Sequence, residues 1–104
     1  MNKLFRNIPS DLDEEFFETL ASSENMQIER IVSKGHTSPS GGWYDQERNE
    51  FVILLAGAAR LEFDDGSIEH LVPGDWLDIP AHRRHRVAWT ETDIETVWLA
   101  VHYN

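Results

Sequence analysis

The chain has 104 residues, 40% of them hydrophobic and 11% aromatic, with four tryptophans. That is enough for one globular domain spanning 1–104, too short for two and too apolar for disorder. A formal net charge of −10 excludes the basic face that a nucleic acid or an anionic membrane requires, and the lack of cysteine excludes disulfides, thiolate metal ligands and a thiol nucleophile.

The opening stretch MNKLFRNIPS carries no apolar signal segment, and the run from Phe51 to Ala59 is far too short to span a membrane. A cytoplasmic location is therefore expected. Residues 1–9 read as an extended arm. A short helix is predicted over about 10–21: Ser10 is placed to cap it, acidic residues fill its first turn, and Leu12, Phe16 and Leu20 recur at intervals of four.

From Met26 the period changes to two. Met26, Ile28, Arg30 and Val32 alternate with Gln27, Glu29 and Ile31, the pattern of a strand. A glycine- and serine-rich loop covers 33–42. Trp43–Gln46 reads as a strand, Glu47–Asn49 as a turn or bulge, and Glu50–Ala56 as a buried strand. Ala58–Phe63 and Ser67–Val72 flank Asp65-Gly66, a strong hairpin signal. Val72-Pro73-Gly74-Asp75 has proline and glycine where a type II turn wants them. Trp76–Ile79, Arg84–Trp89 and Ile94–Tyr103 complete an all-β, antiparallel sandwich or barrel, with strands at about 26–103.

Two spacings carry chemistry. Glu50-x6-Gly57 opens one strand on a carboxylate and ends it on a glycine; Gly74-x5-Pro80-x-His82-x2-His85 leads a turn and strand to two imidazoles. Together they place an acid and one or two histidines at equivalent heights on neighbouring strands, an oxygen-and-nitrogen set suited to a divalent metal. In this order and at this separation the two halves resemble the signature motifs of the cupin superfamily, over roughly residues 38–89. The resemblance implies a small jelly-roll β-barrel, here with the N-terminal helix added. WYDQ…E followed by IPAHRRHRV is also similar to a subgroup of small bacterial cupins of uncertain function.

The departures from that pattern matter. The family sets His-x-His ahead of the motif glutamate; here one register gives Tyr44-x-Gln46 and the other Trp43-x-Asp45. His82 stands where the family has glycine, and Trp89 where it has asparagine. Glu50 and His85 thus match ligand positions, and Gln46 and His82 are the best further donors, with Asp45 competing with Gln46. The metal expected is iron, manganese or zinc, all compatible with nitrogen and oxygen ligands. Tyr44 and His82 are the candidate proton-handling groups. His36, in a loop, and His102, near the C-terminus, are weaker candidates, since histidines at such places seldom do chemistry.

Arg83, Arg84 and Arg86 read as a solvated strand face paired with acids such as Glu62, Glu69 or Glu91; the sharper alternative has Arg83 clamping an anionic ligand. Trp76, Trp89 and Trp98 are expected in the core, with Trp43 and Trp89 also placed to wall a pocket. Phe51–Leu55 is apolar at both parities, so the outer face of that strand needs a cover, either the N-terminal segment or the partner in a homodimer.

Three functional readings follow for a small-molecule ligand. One is a metal-dependent oxygenase, isomerase or decarboxylase acting on a small polar or acidic molecule. Another is a non-catalytic binding or sensing module. The last is a metal-free, epimerase-like enzyme with His85 or His82 as base and Tyr44 as acid.

Overall fold

Period-two alternation governs the chain from Phe16 to its end. The computed structural model describes residues 3–9, 11–39 and 41–104. Its strands, in chain order, are β1 Phe16–Ser22, β2 Met26–Ser33, β3 Asn49–Ala56, β4 Ala59–Phe63, β5 Ile68–Leu71, β6 Trp76–Ile79, β7 His85–Thr90 and β8 Thr96–Tyr103. One sheet has the order β1-β2-β8-β3-β6 and the other β5-β4-β7, with antiparallel pairing throughout.

The turns follow from local chemistry. Gly66, at φ 89°, closes the β4–β5 hairpin with a hydrogen bond from its N–H to the Phe63 carbonyl. Gly74, at φ 95°, takes the third position of the turn in which Asp75 N–H donates to Val72 O at 2.9 Å. The core forms where the two sheets face each other: Ile31, Val52, Leu54, Trp98 and Ala100 from the first meet Leu61, Phe63 and Val87 from the second. A large ring such as Trp98, 3% exposed, contributes much of the apolar area buried there.

The helix expected over 10–21 is corrected: no described residue is helical, Phe16–Ser22 forms β1, and Ser10, the expected cap, lies outside the described residues. A spacing of four is even, so Leu12, Phe16 and Leu20 satisfy a strand's period as well as a helix's. The run Phe-Phe-Glu-Thr favours a pleated conformation, and β1 pairs along the otherwise open edge of β2, with Glu18 opposite Arg30.

Arg30 fastens the arm to the outer face of this sheet. Its guanidinium, 3% exposed, donates to the carbonyls of Leu4, Arg6 and Asn7 and pairs with Glu18 at 3.0 Å. Farther along the same face, Trp76 is 58% exposed and stacks on Phe51 with ring centroids 5.4 Å apart. The expectation that Trp76 fills the core is therefore corrected. It pairs with Ile53, whose parity on β3 is opposite to that of the buried Val52 and Leu54.

Candidate functional site

One cross-strand row sets the site. Gln27 on β2 pairs with His102 on β8, His102 with Glu50 on β3, and Glu50 with Ile79 on β6. Paired residues share a face of the sheet, so His102 and Glu50 both turn toward the interior. From the other sheet comes His85 at the start of β7. Residues 43–46 run antiparallel beside it, with Tyr44 N–H donating to His85 O at 2.7 Å and His85 N–H returning to Tyr44 O at 3.2 Å. The expected strand over 43–46 is reduced to this single bridge.

These elements enclose a cavity of about 70 Å³ whose polar lining is Glu15, Glu29, Tyr44, Gln46, Glu50 and His85. Ile31, Leu61 and Trp98 supply much of its apolar wall.

His85 is 5% and Glu50 8% exposed, and His85 Nε2 lies 3.4 Å from Glu50 Oε1. The other ring nitrogen, Nδ1, donates to the Arg83 carbonyl at 2.9 Å. That bond fixes the tautomer: with Nδ1 carrying hydrogen, neutral His85 points the Nε2 lone pair at a carboxylate. The arrangement is favourable only with a positive charge between them, either a proton on Nε2 or a cation. Burial pulls the His85 pKa down, yet the hydrogen bonds to Glu50 and to the Arg83 carbonyl outweigh it and hold the pKa above the ordinary value.

A second imidazole stands beside this pair. His102 Nε2 is 2.9 Å from Glu29 Oε1 and 3.9 Å from Glu50 Oε2. Its pKa is raised, chiefly by the hydrogen bond to Glu29. Tyr44 is raised as well, first by burial and then by the charges of Glu15 and Glu50, so it stays protonated near neutrality. Its ring lies 5.6 Å from that of His85.

Of the residues singled out in the sequence, Glu50, His85, Gln46 and Tyr44 meet at this cavity. Asp45 does not, because alternation about Tyr44 and Gln46 turns it outward, where it holds His82 Nδ1 at 2.8 Å. His82 lies apart from the cavity, with its side chain 66% exposed. It occupies a turn closed by Arg83 N–H to Pro80 O, at φ 64°, the left-handed conformation that glycine meets without strain.

Arg83 is also at the surface, its Cζ 3.9 Å from the centroid of the Phe63 ring, and Arg86 pairs with Glu62 at 2.6 Å. Trp89 leaves the His85 and Val87 face because the β4–β7 register shifts between Arg60 and Leu61; it pairs with Arg60, whose guanidinium lies 4.9 Å over its ring. Neither Trp89 nor Trp43 lines the cavity. His36 is tied into the loop, accepting from Lys34 N–H and donating to Leu12 O.

The sequence reading set His102 aside and missed Glu29 and Glu15. The only local signal was parity: Glu29 shares a face with the buried Ile31, and His102 with the buried Trp98 and Ala100.

The fit of a divalent metal turns on Glu50 and His85. Two ligands holding one ion by bonds of about 2.1 Å at tetrahedral angles stand about 3.4 Å apart, the separation between these two donors. The Arg83 carbonyl on Nδ1 is the kind of outer contact that orients a ligating histidine. Among the described residues, no group of three or more histidine or carboxylate side chains is arranged to hold a metal ion. Gln46 lines the same cavity. Glu50 and His85 are thus two donors at a separation compatible with one ion.

A model of the cupin domain family matches residues 30–102. No curated protein matches the chain. Among solved structures, a protein from Ralstonia eutropha JMP134, named as a candidate mannose-6-phosphate isomerase, is 43% identical, with 100% of this chain and 97% of that one covered and a TM-score of 0.95. A cupin superfamily protein from Desulfitobacterium hafniense DCB-2 is 23% identical over 92% of this chain and 83% of that one, with a TM-score of 0.75. A sugar phosphate isomerase of the cupin superfamily from Silicibacter pomeroyi DSS-3 is 22% identical over 86% and 59%, with a TM-score of 0.67.

Proposed function

Because the chain belongs to the cupin superfamily, we propose that its interior cavity binds a small polar molecule beside a divalent iron, manganese or zinc ion held by Glu50, His85 and Gln46. The observation that carries this reading is the 3.4 Å approach of His85 Nε2 to Glu50 Oε1, both buried and both lining one cavity. An ion bound there supplies Lewis-acid polarisation of a ligand oxygen.

The chain's own groups supply the rest. Tyr44, protonated near neutrality, donates from its hydroxyl to a ligand oxygen. His102, paired with Glu29 at 2.9 Å, stands 3.9 Å from the far oxygen of the Glu50 carboxylate. The apolar wall of Ile31, Leu61 and Trp98 limits water. Of the reaction types open to such a site, isomerisation is favoured by a buried carboxylate facing the same space as the Tyr44 hydroxyl; the name of the 43% identical relative shares that reaction class, but its phosphorylated substrate is not carried over to this chain. A binding module with this pocket and no turnover is the alternative.

Metal analysis of protein purified without chelator or nickel resin tests the site. Iron, manganese or zinc is expected in the wild type. In Glu50→Gln and His85→Ala the manganese affinity is expected to drop by more than about tenfold. Equal metal uptake by wild type and both variants refutes the site.

We also propose that two copies pair through the outer face of the five-stranded sheet, where Phe51 and Trp76 stack in a partly exposed apolar patch.

A further inference from the structure

We infer that the cavity selects a small amine that also carries a hydroxyl or carbonyl oxygen, and rejects carboxylates and phosphates. This rests on the reading that the cavity is a ligand site and concerns the charge of what enters it. Three carboxylates, Glu15, Glu29 and Glu50, line the cavity, and no lysine or arginine does. Basic side chains close to the site in sequence are engaged elsewhere, Arg48 among them, which donates to the Glu24 carbonyl. Arg83 lies over the Phe63 ring, Arg86 pairs with Glu62, and Arg30 holds the N-terminal arm on the opposite face of the sheet.

The lining offers three carboxylates and no lysine or arginine, so an anion entering the metal-free cavity loses hydration and meets only acidic side chains and neutral walls beside the two histidines.

Two further features match a cation with an oxygen. Glu15 is the lining carboxylate with no basic partner among the described residues; its Oε2 accepts only the Ser33 hydroxyl, at 2.5 Å. Phe17 and Tyr44 line the cavity with it, and aromatic faces attract ammonium groups. Separately, Trp98 is 3% exposed, lines the cavity, and has an indole Nε1 without an acceptor. A buried donor of this kind calls for a ligand oxygen. At about 70 Å³ and partly open to solvent, the cavity admits a small ligand.

Calorimetric titration of the full chain with 3-aminopropan-1-ol, propane-1,3-diol and 3-hydroxypropanoate varies the charge at nearly constant size. The amine is expected to bind most tightly and the acid most weakly, at least about tenfold apart. Glu15→Gln, which keeps an acceptor for Ser33, is expected to bring the amine within about twofold of the diol. An acid that binds as well as the amine, or an amine that does not bind, overturns the inference. Manganese titration of the same sample separates the two levels. Manganese uptake without amine binding removes this inference alone, whereas loss of both removes the proposed function with it.

Discussion

His102 links two carboxylates carried by different strands: its Nε2 lies 2.9 Å from Oε1 of Glu29 on β2 and 3.9 Å from Oε2 of Glu50 on β3. Since β8 runs between β2 and β3, one imidazole joins the two edges of the site across its central strand. The small Ala100, opposite both Glu29 and Val52, leaves the room for this diagonal reach.

That link makes stability depend on pH. The hydrogen bond to Glu29 raises the pKa of folded His102, and the Glu50 charge adds to it against desolvation. His85 shifts in the same direction. A group whose pKa rises on folding binds more protons in the folded state. Its contribution is complete below the unfolded value, near 6.5, and disappears as pH climbs through the folded one. Urea midpoints of metal-free protein are therefore expected to fall as pH rises above the unfolded value near 6.5, with His102→Gln flattening the decline. A midpoint that rises over this range contradicts the assignment.

Gly57 ends β3 at φ 84°, and a Cβ built there would meet Thr96 Oγ1 at 2.3 Å and its Cα at 2.6 Å. Thr96 is fully buried and cannot retreat. Gly57→Ala is expected to destabilise the fold by about 2–4 kcal/mol through overpacking and left-handed strain together. At Gly66, φ 89° with open space around the position, only the strain remains, and Gly66→Ala should cost about 1–2 kcal/mol. Denaturant titration of the pair checks the order.

His82 pairs with Asp45 at the surface, in a backbone conformation suited to glycine. His82→Gly relieves that strain and adds chain entropy to the unfolded state, so stability should stay within about 1 kcal/mol of wild type. Manganese affinity should be unchanged, because the side chain lies outside the cavity. A loss of affinity in this variant would bring His82 back into the site.

Trp76 presents a 58% exposed ring stacked on Phe51. If this patch joins two copies, sedimentation velocity gives a dimer for the wild type. Trp76→Glu, which sets a charge in the patch, gives a monomer with an unchanged unfolding midpoint at low concentration. A monomeric wild type refutes the pairing.

Much of this protein is legible before any coordinates. The Asp65-Gly66 and Pro73-Gly74 turns, the strands they separate, and the inward parity of Glu50 and His85 all follow from short-range rules of backbone geometry and alternation. The first strand is the instructive failure, since apolar residues four apart satisfy both the helical and the extended period. What folds there depended on the edge of β2 waiting for a partner.

The choice of Gln46 over Asp45 needed the bridge between Tyr44 and His85, and the removal of Trp89 from the inner face needed a one-residue bulge. The participation of Glu29 and His102 needed the register of β2, β8 and β3. Alternation assigns each side chain to a face. Which faces meet, and at what height, is decided by pairings between residues as much as 77 positions apart, Met26 opposite Tyr103, and no local pattern encodes those.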